Sequence, residues 1–400
     1  MTRIARRDLN AFRMNRRALL GGMAGVSVAF AGRAAFAAPG PRRKLIVMIA
    51  RGGLDGLSVS PPWGDPDYAR LRGPLAIGAP GTAGGALQLD STFGLHPALV
   101  SIHAMALAGE ARIAPAGAIP DRIRSHFEAQ DLLENGTSKV YGVSSGWLNR
   151  ALLASGSVRG LSVGATPPLV IRGPVQTGAW SPGPLLPQGD RVAAMLMDLY
   201  KDDPLLAPAL AAGLSSEDMA RTATSGQAVK ANDVKALGAA ISRFVVADDG
   251  PDVVALSLDG FDTHARQGAA TGQLAGRLTY VDQLFAGLKE GLGPVWKDTV
   301  MVMATEFGRT ARVNGTLGTD HGTASTVVLA GGSLKRGGIV GDWPTLAENR
   351  LFENRDLAPT IEVRAIFKGL LRDQLGLDRS RLDTVVFPDS AAVAPITGLT

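Results

Sequence analysis

Four short apolar runs limit what this chain can fold into: Lys44 to Ala50 (KLIVMIA), Asp252 to Asp259 (DVVALSLD), Thr299 to Ala304 (TVMVMA) and Ser325 to Ala330 (STVVLA). Continuous Val/Ile/Leu runs of this length read as strands buried on both faces, as in a parallel sheet covered by helices. In open α/β sheets, ligands bind in the crevice beyond the carboxyl ends of the strands. Acids and glycines follow three of these runs: Asp55 within Gly52-Gly53-Leu54-Asp55-Gly56, Asp262 and His264 after Gly260, and Glu306 after Ala304. The Gly-rich loop from Asn314 to Gly322 can return Asp320 and His321 over the same edge, because glycine tolerates the backbone angles of a tight return.

Helical patterns lie between the runs. Residues 272 to 290 carry Leu274, Leu278, Val281, Leu284, Phe285 and Leu288 at helical spacing. His126 to Glu134 reads as a helix with Ser125 at its N-cap and Asn135-Gly136 as its stop. Further helices are expected over 95–107, 191–200, 217–246 and 357–375, a helix start at 145–150, and short strands over 111–116 and 168–172. His96 and His103, seven apart, would share a helix face, and a structural role is expected for at least one. The region 141–250 is poor in chemistry and reads as a helical cover or insertion.

A sequence pI near 9.6 invites a nucleic-acid reading. However, seven of the 41 basic residues and one of the 36 acidic ones fall within residues 1–37, so the remainder is nearly neutral and the basic-patch argument lapses. Residues 1–37 read as an export signal: a basic region, a mostly apolar stretch from Ala18 to Ala31, then Ala35-Phe36-Ala37 as a cleavage site. Asn15-Arg16-Arg17-Ala18-Leu19-Leu20 resembles a twin-arginine signal, which implies the twin-arginine export machinery as a partner and a periplasmic or secreted location. No membrane span is expected in the mature chain. The absence of cysteine excludes disulfides, thiolate metal sites and a cysteine nucleophile, and leaves oxygen and nitrogen ligands.

Each candidate residue has a bland alternative. Asp55 suits a ligand, an Asx turn or a helix cap. Ser125 is a capping residue or a hydroxyl facing an anion pocket at a helix N-terminus, with His126 beside it as a further catalytic candidate. Arg309 is a clamp for substrate oxygens or an ion-pair partner of a nearby acid. Together the acids and histidines supply ligands suited to a divalent ion, Zn, Mn or Mg.

The set RGGLDGL, RSHFEAQDLLENG, GWLNR, DTHARQ, TEFGRTA, GTDHG and GDWP resembles the bacterial domain of unknown function 1501 family over nearly the whole mature chain. That family is grouped with the alkaline phosphatase superfamily. The resemblance implies a three-layer α/β/α sandwich with a mostly parallel central sheet, alkaline phosphatase-like, as a single domain over 38–400, with one or two metal ions. It implies Asp55 as ligand of one ion, Asp262, His264 and His321 as ligands, and Ser125 as nucleophile. Asp320 stands in the same Thr-Asp-His turn. Two departures stand out: one residue separates Asp262 from His264 instead of three, and Glu306-Phe307 stands where the superfamily has Asp-His. The expected function is an exported metal-dependent hydrolase of phosphate or sulfate esters, acting on a small-molecule or glycan ester through Ser125 or metal-bound water, with no nucleic-acid partner. A formylglycine sulfatase is not expected, since no Cys or Ser stands before x-Pro-x-Arg. The alternative is a non-catalytic secreted binding or assembly protein on the same fold, retaining one structural metal.

Overall fold

The computed structural model describes residues 26–27, 42–183, 191–204, 206–207, 210, 220–224, 226–230 and 232–400. The proposed signal over 1–37 therefore lies, apart from Val26 and Ser27, outside the described residues. The strands are β1 (Val26–Ser27), β2 (Lys44–Ala50), β3 (Leu87–Gln88), β4 (Gly94–Leu95), β5 (Ala111–Ala118), β6 (Gly160–Val163), β7 (Gly178–Trp180), β8 (Val253–Leu258), β9 (Thr299–Ala304), β10 (Ser325–Ala330) and β11 (Ile361–Glu362). All except the β3/β4 pair form one sheet in the order β1-β7-β6-β8-β2-β9-β10-β5-β11.

The sheet is mostly parallel. β2 runs parallel to both neighbours, β8 and β9, β6 runs parallel to β7 and β8, and β11 parallels β5. β10 is antiparallel to both β9 and β5. That reversal positions the site: the residues before β10 emerge at the same edge as those after β2, β8, β9 and β5.

Every residue of β2 is buried, and the side chains alternate between two cores. Ile46, Met48 and Ala50 pack on one side with Leu274, Leu278, Val281 and Leu288. Leu45, Val47 and Ile49 pack on the other with Leu132, Leu133, Ile366 and Leu370. This two-residue period between two apolar layers is why the runs show no polar alternation. The helices used below are α1 (Val100–Leu107), α2 (His126–Asn135), α3 (Trp147–Ser155), α4 (Val234–Val246), α5 (Gln273–Leu292) and α6 (Val363–Leu375). α1, α4 and α5 contribute to the first layer and α2, α3 and α6 to the second, giving an α/β/α sandwich.

Several expectations change. The apolar run at 168–172 forms a 3₁₀ turn, Leu169–Ile171, rather than a strand, and the Val170 amide donates to Glu134 Oε2 at 2.9 Å instead of to a neighbouring strand. β6 and β7, not anticipated, bring part of the 141–250 region into the sheet, while α4 packs on α5. α1 begins at Val100, so His96 and His103 share no helix face. His96 bonds the Ala269 carbonyl through Nε2 at 2.9 Å and accepts the Ala98 amide at Nδ1, and His103 Nε2 bonds the Gln88 carbonyl at 2.8 Å. No helix among the described residues is long and apolar enough to cross a membrane.

Candidate metal centre

Three histidines from three segments meet at the sheet edge. His126 opens α2, His264 follows β8, and His321 precedes β10. Each ring has its Nδ1 committed. His126 Nδ1 meets Glu306 Oε1 at 2.8 Å, His264 Nδ1 meets Asp320 Oδ1 at 3.1 Å, and His321 Nδ1 meets the Arg124 carbonyl at 2.8 Å. A carbonyl can only accept, so His321 carries its hydrogen on Nδ1. The two carboxyls are held below their ordinary values and are therefore acceptors too. For Glu306, burial would push the carboxyl up, but hydrogen bonds from His126, Gln130 and Gly52 outweigh it. For Asp320 the Asn314 amide is the main cause, opposed by partial burial and aided by His264. All three rings thus carry a hydrogen on Nδ1, and in the neutral form each presents the Nε2 lone pair, an orientation fixed by the bond at the opposite nitrogen. The bond to Glu306 raises the His126 imidazole above its ordinary value.

The three Nε2 atoms converge on Asp262. His264 Nε2 lies 3.0 Å and His321 Nε2 3.3 Å from Asp262 Oδ1, and His126 Nε2 lies 3.4 Å from Asp262 Oδ2. His264 and His321 Nε2 are 3.0 Å apart. A tetrahedral ion with nitrogen ligands at 2.0–2.1 Å has ligand–ligand edges of about 3.3 Å. Two facing lone pairs at this separation require positive charge between them, from a proton on one imidazole or from a cation. His126 Nε2 adds a direct sign, because it is buried with no hydrogen-bond partner. The donor set, imidazole nitrogen with one carboxylate, suits Zn or Mn better than Mg, which takes oxygen. Among the described residues, His126, Asp262 and His321 each offer a ligand atom, and these three atoms all lie within 4.8 Å of one another. Asp262 and His264 are 44% and 45% exposed, so the centre is open to solvent on that side.

The neighbours hold this arrangement. Glu306 Oε1 also accepts the Gly52 amide at 2.8 Å and Gln130 Nε2 at 3.0 Å, and Oε2 accepts Thr305 Oγ1 at 2.9 Å. Glu306 is fully enclosed and its acceptor positions are filled, so the expectation that it ligates metal gives way to one in which it orients His126. Asp320 likewise stands behind His264. Gly52 has φ +113°, and a Cβ there would lie 2.6 Å from the Asp262 amide. Gly318 lets its loop pass so close to His264 that a Cβ would lie 2.3 Å from the His264 carbonyl carbon. Phe307 is no ligand, and its ring packs against His126 and His321 at 4.8 Å from each.

Arg309 takes the ion-pair role: its side chain is fully buried and Nη2 donates to Asp262 Oδ1 at 2.8 Å. Burial would raise the Asp262 carboxyl, but Arg309 and His264 hold it below its ordinary value. Asp55 stands apart from the centre. Its Oδ2 accepts from the Arg72 guanidinium, from Ser58 Oγ at 2.7 Å and from Gln267 Nε2 at 2.6 Å, all enclosed. Its Oδ1 is buried without a partner, but the carboxylate is already neutralised by the buried Arg72 guanidinium, so Asp55 does not fit the ligand role expected for it. Ser125 is the N-cap residue of α2, yet its side chain caps no amide. Its two chain neighbours both touch the centre, Arg124 through its carbonyl and His126 through its ring. Gln130, Gly52 and the Arg124 carbonyl were not anticipated, and neither was a ligand position for His126, which was expected to take part in catalysis. The one signal available was that Gln130 lies a helical turn from His126 on the same face.

A family model described as a protein of unknown function, DUF1501, matches residues 42–386. The chain belongs to this family. No curated protein matches it. Several solved structures are similar to this DUF1501 protein at low identity. One is Ps i-CgsB in complex with k-i-k-neocarrahexaose, 10% identical over 87% of this chain and 76% of the other, with a TM-score of 0.42. A second is a protein in the alkaline phosphatase superfamily from Vibrio parahaemolyticus, 10% identical over 79% and 64%, with a TM-score of 0.37. A third is the phosphonate monoester hydrolase of Agrobacterium radiobacter, 12% identical over 84% and 74%, with a TM-score of 0.36.

Proposed function

We propose that this chain, one domain from residue 38 onward, is an exported hydrolase of phosphate or sulfate esters dependent on a single divalent ion, Zn or Mn. His126, Asp262, His264 and His321 are the ligands, with Glu306 and Asp320 behind two of the rings. The observation that carries this reading is the set of three imidazoles, each locked at Nδ1 and each placing Nε2 within 3.4 Å of an Asp262 carboxylate oxygen. A divalent ion there would supply Lewis-acid stabilisation of an ester's developing negative charge. The chain's own residues do the rest. Arg309 holds Asp262 in place, and the open side between Asp262 and His264 admits the ester. Ser125, at the N-terminus of α2 where the helix dipole favours an anion, supplies the attacking hydroxyl. Elemental analysis of the purified protein, with a panel of aryl phosphate and sulfate esters, tests this. One bound ion and turnover that is lost on chelation and restored by metal are expected; turnover unaffected by chelation, or protein that takes up no metal, overturns it.

One observation favours a second reading, a secreted binding or assembly protein. Four protein ligands already complete a tetrahedron, the pattern of structural metal sites, whereas catalytic sites keep a position open. Ser125→Ala separates the two. Activity lost with metal retained fits the enzyme, and properties unchanged throughout fit the binder.

A further inference from the structure

We infer that Asp356 is a positioning residue for the centre: its buried carboxylate ties together the two segments that carry His126 and His321 and thereby sets their spacing. This rests on the metal-site reading above. Asp356 is fully buried. Its Oδ2 accepts from Arg124 Nη2 at 2.7 Å and Arg124 Nε at 3.1 Å, and from Thr323 Oγ1 at 2.9 Å. Arg355 Nη1 lies 3.2 Å from Oδ1.

Each partner leads to the centre. Arg124 lies two residues before His126, and its carbonyl receives His321 Nδ1. Thr323 lies two residues after His321. Arg355 donates from Nη2 to the His321 carbonyl at 2.8 Å. One carboxylate therefore grips both sides of the His126–His321 contact, where the rings meet edge to face at 4.4 Å. Arg124 Nη2 also reaches Glu353 at 2.7 Å, but Glu353 is 56% exposed, so solvent screening leaves that pair weak. The backbone adds to the link, with bridges from Asp356 to Thr310 and to Phe352 and from Arg309 to His321. Groups that orient metal ligands from behind typically contribute about 10- to 100-fold in metal affinity. The Asp356 carboxylate sits one step further out, since it acts through the Arg124 carbonyl and the His321 main chain.

The test is Zn²⁺ affinity by chelator competition on the full chain, together with the visible spectrum of the Co²⁺-substituted protein as a report of ligand geometry. Asp356→Asn is expected to weaken Zn²⁺ binding by about 10-fold and to change the Co²⁺ spectrum. Arg124→Ala keeps the carbonyl that His321 needs and removes only the grip, in a partly exposed side chain that folding tolerates, and is expected to do the same. Asp252→Asn is the structural control. It removes a buried carboxylate paired with Lys44 at 3.0 Å beside the opposite end of β8. It should lower the melting temperature while leaving Zn²⁺ affinity and the Co²⁺ spectrum unchanged. If the native protein binds Zn²⁺ and Arg124→Ala binds it with native affinity and spectrum, Asp356 has no positioning role. If Asp252→Asn weakens Zn²⁺ binding as much as the Asp356 and Arg124 variants do, the effect is general destabilisation and the inference falls. Failure of the native chain to bind any divalent ion overturns the metal-site reading instead.

Discussion

Replacing Glu306 by glutamine removes one charge from behind His126 with almost no change of shape. Three donors converge on Oε1, namely the Gly52 amide, His126 Nδ1 and Gln130 Nε2, and Thr305 Oγ1 alone reaches Oε2. A glutamine can keep its oxygen toward the three donors and turn its amide toward Thr305, whose hydroxyl can accept. His126 therefore keeps its hydrogen on Nδ1 and its ring orientation, and loses only the basicity that an ionised partner confers. Hydrogen bonds to charged groups contribute about 1.5–3 kcal/mol and neutral ones about 0.5–1.5, but the variant also avoids burying a charge. The net stability change should be about 1 kcal/mol or less. Metal affinity should fall by about 10-fold, the lower end of the effect of groups behind a ligand, equivalent to about 1.4 kcal/mol. Glu306→Ala frees the ring as well and should approach about 100-fold. Zn²⁺ titration against a chelator measures both. Native affinity in both variants would refute the claim that Glu306 directs His126 onto a metal.

Gly52→Ala should both destabilise the fold, by about 1–3 kcal/mol from the left-handed backbone and overpacking, and weaken metal binding, because its Cβ would collide with the Asp262 amide; chemical denaturation and Zn²⁺ titration read the two effects. Phe307→Ala should cost about 3–5 kcal/mol as a core truncation, measured by denaturant midpoint, and loosen the His126 and His321 rings it packs against. Burial would raise the Asp383 carboxyl, but bonds from Lys368 and Arg379 hold it below its ordinary value. Its stabilisation is therefore present above about pH 4 and lost as pH falls through the lower folded value. Asp383→Asn should cost about 2 kcal/mol at pH 7, less than the roughly 3–5 of a stranded buried charge, because Lys368 Nζ keeps the Ser390 and Val393 carbonyls. The difference from native protein should vanish in strong acid, as read by denaturation across pH.

Much of the sheet was legible because burial on both faces leaves a plain mark. β2, β9 and β10 fall on the apolar runs read from the sequence, and β8 falls within the run at 252–259. β6 and β7 were not legible, since four and three residues rich in Gly, Ser and Ala carry no such mark. At the site, the convergence of Asp262, His264 and His321 followed from strand ends and a Gly-rich return. Which carboxylates face the centre did not. Glu306 and Asp55 both follow strands, as a ligand would, yet one is enclosed by four hydrogen bonds and the other is paired with a guanidinium 17 positions along the chain. Such pairings are set by tertiary distances that spacing in the sequence does not carry. The antiparallel β10, which brings His321 to the shared edge, was also invisible in a run whose composition matches its parallel neighbours.

The central claim is that three imidazole Nε2 atoms and one carboxylate surround a single divalent ion. X-ray absorption at the zinc edge of the Zn²⁺-loaded full chain tests it most directly. One ion per chain with three imidazole nitrogens at about 2.0–2.1 Å and one carboxylate oxygen is expected, with the nitrogen count falling in His126→Ala. A spectrum with fewer than three imidazoles, or one unchanged by His126→Ala, would contradict the account.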